Sequence, residues 1–349
     1  MTKTRFKLQT ELLPGVEQQH ADALEAELKS FVSSRDLPLY KIMSFQLGWI
    51  DQNGDPAGIP TQSRMHGQFA LATAAAMGGD PLSAVKYAIA VELLHNFALI
   101  HEDVEDGNTE RNGRPSVWWT WGPAQAINAG DGMHAMARLA LFSLAEQGEP
   151  TERVSAAVRA IDCATVLMCE GEYLDITFQE QAVVTPERYL EMTASRTGAL
   201  FGCAAESGAI AAGHNDSATL KALFKFGQAT AVARQLAVDH DLFWGTGPKD
   251  QVSHGRLLAK KKNLPVAHAM THGSPSVKRH LGEMYMQRVI DPAKVPEIAA
   301  LLEEAESRDF TEQSIERLAA EANEAAARVT GARTASLLPA LAAALSGAS

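Results

Sequence analysis

Residues 91–115 read VELLHNFALIHEDVEDGNTERNGRP. Apolar residues at helical intervals run to Ile100, carboxylates crowd positions 102–106, and a loop rich in Gly, Asn and Pro follows with Arg111 and Arg114. Glu102 and Asp106 are four apart and share one helix face, with Asp103 beside them. Like charges so spaced repel by about a few tenths of a kcal/mol per pair, and a helix C-terminus is the unfavourable end for negative charge. The cluster is therefore either a solvated acidic helix end or the seat of a cation. Mg²⁺ suits it, since that ion takes one or two carboxylates together with water and substrate phosphate. The arginines of the next loop favour the second reading, because their forked donors match phosphate oxygens. Metal and guanidinium together describe a diphosphate site.

Outward from this segment the pattern is helical almost throughout. Apolar residues recur at three- and four-residue intervals over 17–33, 64–78, 81–101, 123–146, 151–178, 186–212, 216–243, 256–272, 275–288, 294–306 and 311–328. The Ala- and Leu-rich stretch 330–349 predicts one last short helix. Gly, Pro and Asn collect at 51–60, 107–115, 147–150, 213–216 and 245–254, which are loop lengths normal between packed helices. An all-α single domain over residues 1–349 is expected, with no interdomain linker.

Composition narrows the function. The chain has 349 residues with 31 Lys+Arg against 42 Asp+Glu, a formal charge of −11, so it lacks the clustered basic excess that a nucleic-acid partner demands. Cys163, Cys169 and Cys203 match neither a disulfide framework nor a zinc site, and are expected to be small buried hydrophobes in a reducing cytoplasm. No apolar stretch reads as a leader or a membrane span.

Further motifs stand in order along the chain: Ala129-Gly130-Asp131, Gly171-Glu172-Tyr173-Leu174-Asp175, Arg196-Thr197-Gly198, Phe226-Gly227 and Val238-Asp239-His240-Asp241-Leu242, then Lys260, Lys261 and Lys262 before Asn263-Leu264-Pro265. With Glu102–Asp106 and Arg111–Pro115 they resemble the trans-isoprenyl diphosphate synthase (polyprenyl synthetase) family over roughly residues 40–328. The resemblance implies an isoprenoid-synthase-type helical bundle around a central cavity, two acidic helices facing it, three Mg²⁺ ions, a prenyl diphosphate substrate and a homodimer. Carried onto this chain, the metal side falls to Glu102, Asp103 and Asp106, with Asp239 and Asp241 opposite. Diphosphate contacts fall to Arg111, Arg196, Lys260 and Lys261.

The sequence departs from the family at the second diphosphate site. Where the family has Lys, Arg and Pro in an early motif this chain has Ser63, His66 and Gly67, and Asn112 stands in place of the loop's second Arg, whereas His95 is kept. Each lost charge-assisted hydrogen bond is worth roughly 1.5–3 kcal/mol. The expectation is a class I terpene synthase that cyclises geranylgeranyl or farnesyl diphosphate, with Phe97 gating the pocket and Trp118 among the aromatics shielding carbocations. The rival readings are a prenyltransferase and a non-catalytic partner subunit. His101 and His240 each lack a paired ligand at helical spacing and read as polar supports. Glu172 and Asp175 read either as cavity residues or as hydrogen-bond partners of Arg196. The stretch Asp51, Asn53, Asp55 reads as a turn, because Pro56 stands where a calcium loop needs Gly.

Overall fold

The computed structural model describes residues 12–57, 63–245, 251–329 and 334–347. Its helices are α1 (Gln18–Val32), α2 (Pro38–Gln46), α3 (Met65–Ala76), α4 (Val85–Asp106), α5 (Val117–Trp121), α6 (Pro123–Glu146), α7 (Thr151–Glu180), α8 (Pro186–Thr193), α9 (Ala199–Ala211), α10 (Ser217–Trp244), α11 (Gln251–Leu258), α12 (Leu264–His272), α13 (Pro275–Tyr285), α14 (Val295–Glu304), α15 (Ser307–Ala327) and α16 (Thr334–Ser346). The strands described are the pair β1 (Glu110–Arg111) and β2 (Arg114–Pro115).

Helix boundaries follow local chemistry. Asp216 caps α10 by accepting from Thr219 N at 2.8 Å, and Asn263 caps α12 by accepting from Val266 N at 3.0 Å, each a contribution of about 1 kcal/mol. Gly107 ends α4 in the left-handed conformation. The centre is built from α3, α4 and α9: α3 is buried continuously from Gly67 to Ala74, as expected of a helix with neighbours on every side. Helix α4 packs along α6, α3 and α9, and α10 packs along α9 and α15. Two smaller apolar clusters flank this core, one between α8, α10, α12 and α15 and one beneath α11–α14.

Several expectations change. The predicted helix over 256–272 is broken, because Lys260 takes a left-handed φ of 65° and α11 closes with Lys261 N donating to Arg256 O at 2.9 Å, a Schellman-type end. Helices α2 and α5 fall outside the predicted segments; α5 has five residues, too few for a periodic signal. Cys203 is buried, but Cys163 and Cys169 are exposed on α7. The span Pro81–Asp106 is long and apolar enough to cross a membrane by length and composition, yet 67% of its apolar window is buried inside the protein, so it is a core helix. Asp51 does form a turn, accepting from Asn53 N at 2.8 Å and Asp55 N at 3.0 Å.

Candidate active site

A cavity of about 690 Å³ opens between α4, α7, α9 and α10. Apolar side chains such as Phe97, Leu99, Met168, Ile176 and Leu200 line its walls, and Glu102, Arg111, Arg196 and Arg256 line one end. That end lies at the last turn of α4, where a long apolar helix emerges from the core and becomes charged.

Each charged group is placed by an identifiable backbone feature. Arg111 sits in the β1–β2 hairpin, whose two-residue turn uses Asn112 (φ 54°) and Gly113 (φ 71°). Both positive φ values describe a type I′ turn, for which Asn-Gly is the preferred pair. From there Arg111 donates to Glu102 Oε2 at 2.9 Å and to Asp103 Oδ1 at 2.9 Å. Arg196 lies in a π-helical turn, Ala194–Gly198, between α8 and α9. Helix α7 approaches that turn so closely that a Cβ on Gly171 would stand 2.3 Å from Arg196 N, which explains the glycine at the head of the Gly171–Asp175 motif. Arg196 donates to Glu172 Oε2 at 2.7 Å and also to Glu102 Oε1.

The left-handed turn at Lys260 swings Lys261 inward, where its ammonium lies 2.7 Å from both Asp106 Oδ1 and Asp175 Oδ2. Arg256, in the last turn of α11, donates to Glu102 Oε1 at 2.9 Å, Asp106 Oδ2 at 3.0 Å and Asp175 Oδ2 at 2.8 Å. Burial alone would raise the Glu102 carboxyl, but Arg196, Arg111 and Arg256 outweigh it and hold it well below the usual range. Asp175 is likewise brought down to about 2, burial being overcome by Arg256, Arg196 and Lys261. Glu105, facing the cavity, has no such pairing and is pushed up to about 7 by partial desolvation and then by Glu172 and Asp106.

The opposite wall is less acidic than the motifs imply. Asp241 lines the cavity, and His240 Nδ1 stands 3.3 Å from its carboxylate. Asp239, expected to face the cavity, is not among the lining residues. Its oxygens accept from Tyr189 Oη at 2.5 Å, Leu264 N at 3.1 Å and Gln235 Nε2 at 3.0 Å, so it ties α8 and α12 to α10. Asp103 is also turned away, its oxygens taken by Arg111 and by Asn108 Nδ2 at 3.3 Å. Lys260 serves the turn and is not a lining residue; neither is Trp118, whose indole donates to Asn108 O at 2.7 Å. Arg114 turns outward to Phe45 O at 3.0 Å and Ile50 O at 2.7 Å. Phe97 does line the cavity, with His134 stacked on it at a centroid distance of 5.0 Å.

In kind, the donor set suits Mg²⁺: hard carboxylate oxygens from α4 and α7, of which Glu172 Oε1 and Asp175 Oδ1 are buried with no hydrogen-bond partner. Among the described residues, however, no three acidic, His or Cys side chains close on one point; Arg256 and Lys261 stand between them.

On the cavity wall the imidazoles of His66 and His95 face each other at a centroid distance of 3.9 Å. Burial lowers both, with His95 at about 3, so they are neutral at pH 7. Arg64, the nearby basic residue, is buried and tied to Glu25 Oε2 at 2.8 Å and Leu47 O at 2.7 Å. Arg234 also lines the cavity, and its charge helps depress His66. Sequence reading passed over Arg234 and Arg256, since neither lies in a motif; the available signal for Arg256 was its spacing of five residues before Lys261.

The family model described as polyprenyl synthetase matches residues 60–302. The chain belongs to the polyprenyl synthetase family. It is 32% identical over 280 residues to a (2E,6E)-farnesyl diphosphate synthase of Mycobacterium tuberculosis, covering 79% of this chain and 76% of that protein. It is 35% identical over 260 residues to a geranylgeranyl diphosphate synthase of the same organism, covering 74% and 73%. Among solved structures, a polyprenyl synthetase from Streptomyces coelicolor A3(2) superposes with a TM-score of 0.83 at 31% identity, covering 93% of this chain and 97% of that one.

These relatives overturn the expectation of a cyclising terpene synthase, because the proteins this chain resembles are named as prenyl diphosphate synthases. The geometry supplies the physical reason the expectation overreached. Asn112 is the residue type its type I′ turn prefers, so its presence is explained by the backbone, and Arg234 brings a cation into the cavity close enough to act on His66.

Proposed function

We propose that this member of the polyprenyl synthetase family is a prenyltransferase that joins a short allylic diphosphate to isopentenyl diphosphate and releases a linear prenyl diphosphate. The observation that carries this reading is the junction of Arg111, Arg196 and Glu102 with an apolar cavity of about 690 Å³, in a chain whose relatives include farnesyl and geranylgeranyl diphosphate synthases. A C15 to C20 product fits the aromatic obstruction at Phe97.

Arg111 and Arg196 would bind the donor's diphosphate from two sides, each held in its direction by a carboxylate partner. Mg²⁺, up to three ions by the family resemblance, would be held by carboxylates of α4 and α7 with Asp241 opposite, and when bound supplies positive charge against the departing diphosphate. The donor's C–O bond breaks with its electron pair leaving on diphosphate. The acceptor's alkene electrons form the new C–C bond, and a proton is lost to complete the product. Apolar walls exclude water, which would otherwise capture the cation as an alcohol. Arg234 is the candidate contact for the acceptor's diphosphate, with neutral His66 and His95 as hydrogen-bonding neighbours.

A homodimer belongs to the same proposal, supported by Ile127, Leu139 and Phe142 on α6 and Val166 on α7, large apolar side chains left exposed on adjoining helices. So does a cytoplasmic site of action, which suits the free, exposed thiols of Cys163 and Cys169. So does a single domain, since α16 packs on α3, α10 and α15.

The test is incubation with Mg²⁺ and geranyl, farnesyl or geranylgeranyl diphosphate, each with and without isopentenyl diphosphate, and mass spectrometry of the dephosphorylated products. A longer linear alcohol that appears only when isopentenyl diphosphate is present is the expected result. No elongated product from any donor would overturn the reading.

A further inference from the structure

The space between the last turns of α4 and the C-terminal part of α7 is already cationic. Arg256 reaches three carboxylates from these two helices, Glu102, Asp106 and Asp175, at 2.8–3.0 Å. Lys261 spans Asp106 and Asp175 beneath it, with 1% of its side chain exposed. The helix-sharing pair Glu102 and Asp106, which repel each other in a bare helix, thus meet through one guanidinium.

A magnesium ion needs nearly octahedral oxygen ligands at about 2.0–2.1 Å. One guanidinium already fills the space between these three carboxylates, so an ion drawing its ligands from all three would need Arg256 to leave. Leaving is costly, because a buried ion pair broken on one side strands a charge. Arg256 also lines the cavity, so its fixed charge faces the place a diphosphate would occupy.

We infer that Arg256 is a resident cation standing in for one divalent ion between α4 and α7, so that the protein binds fewer Mg²⁺ ions than its carboxylates could otherwise hold. The inference rests on the reading of this cluster as the diphosphate end of a prenyltransferase site. It makes Arg256 a residue that sets metal stoichiometry and gives the site metal-independent affinity for diphosphate.

The experiment is titration calorimetry of the full chain with MgCl₂ alone and with inorganic diphosphate alone, with Mn²⁺ electron paramagnetic resonance as an independent count of bound metal. Arg256→Gln is expected to bind one more ion per chain than the unaltered protein, to gain thermal stability from Mg²⁺ where the unaltered protein gains little, and to bind metal-free diphosphate roughly tenfold more weakly. Arg256→Lys, which keeps the charge, is expected to keep the lower ion count, and guards against a folding defect in the glutamine variant. Equal ion counts and equal affinities in the unaltered protein and Arg256→Gln would overturn the inference. The two readings fail separately: an extra ion in the variant with no elongated product from the unaltered chain sinks the prenyltransferase, and elongated product with unchanged metal counts sinks the role of Arg256.

Discussion

The Lys261 ammonium lies 2.7 Å from the Asp175 carboxylate, and both side chains are closed off from solvent. Asp175 comes from α7 and Lys261 from the turn before α12, so the pair fastens the chain that follows α10 onto the cavity wall. Losing Lys261 leaves two buried carboxylates, Asp106 and Asp175, to share Arg256, a loss bounded by the roughly 3–5 kcal/mol of a wholly unpaired buried charge. Lys261→Met is therefore expected to lower the melting temperature sharply. Adding Asp175→Leu should recover much of the loss, because Asp106 keeps Arg256 as a partner. A thermal melt of the single and double variants checks this, and a double variant less stable than Lys261→Met contradicts it.

The pair His66 and His95 predicts how stability varies with pH. Both are held neutral in the folded protein, His95 down to about 3, whereas a free histidine takes its proton near about 6.5. Between those values the unfolded chain binds more protons than the folded one, so stability rises with pH and is lost as pH falls below about 6.5. The slope is at most about 1.4 kcal/mol per pH unit for each histidine. Denaturant unfolding at pH 7, 6 and 5 should show it, and His95→Gln should flatten the curve. An unchanged slope in that variant would assign the acid sensitivity to other groups.

Gly171 predicts a defect that reaches the site through the backbone. A Cβ there would meet Arg196 N at 2.3 Å and Arg196 Cα at 2.6 Å, backbone atoms with no rotamer to yield. Gly171→Ala should push the π-helical turn away from α7 and cost roughly 1–3 kcal/mol through overpacking. With Arg196 displaced, donor turnover should fall at least roughly tenfold, even at temperatures where the variant is folded. Steady-state kinetics at such a temperature test this; full activity would show that Arg196 tolerates the shift.

Much of this fold was readable because its signals are local. The α6 boundaries at Pro123 and Glu146 follow from Gly122 before a proline and from the loop that succeeds it, and helical periodicity marks the long elements. Fold class and family were equally legible, since ordered motifs survive wherever a glycine permits close approach, as at Gly171 and at Gly227, where a Cβ would meet Phe201 O at 2.3 Å. Side-chain direction was not legible. Asp239 and Asp241 differ by two positions, and two positions turn a helix by about 200°; which of them faces the cavity depends on Tyr189 and Leu264, far away in sequence. Arg256 entered the acidic cluster because a left-handed Lys260 folds two neighbouring segments together, a conformation that no hydrophobic pattern announces. The reaction class was misjudged for a related reason. Counting lost cations at motif positions ignored Arg234, a cation brought to the same cavity by a different helix.

Phe97 carries the last prediction. It lines the cavity five positions before Glu102, on the helix that brings the carboxylates to the site. Its ring is backed by His134 of α6 at 5.0 Å and by His101 at 4.7 Å, so it cannot swing aside without disturbing both. A prenyl chain growing from the charged end would meet this ring, and product length is then set by where that contact occurs. Phe97→Ala removes the obstruction and leaves the neighbouring imidazoles in place. The expected outcome is a shift of the product distribution toward longer chains by at least one five-carbon unit, with donor consumption nearly unchanged because no charged group is touched. Mass spectrometry of dephosphorylated products from both proteins, at matched donor and isopentenyl diphosphate, reads this directly. An unaltered distribution would move the obstruction to another wall of the cavity, where Leu200 and Phe201 of α9 are the next large side chains.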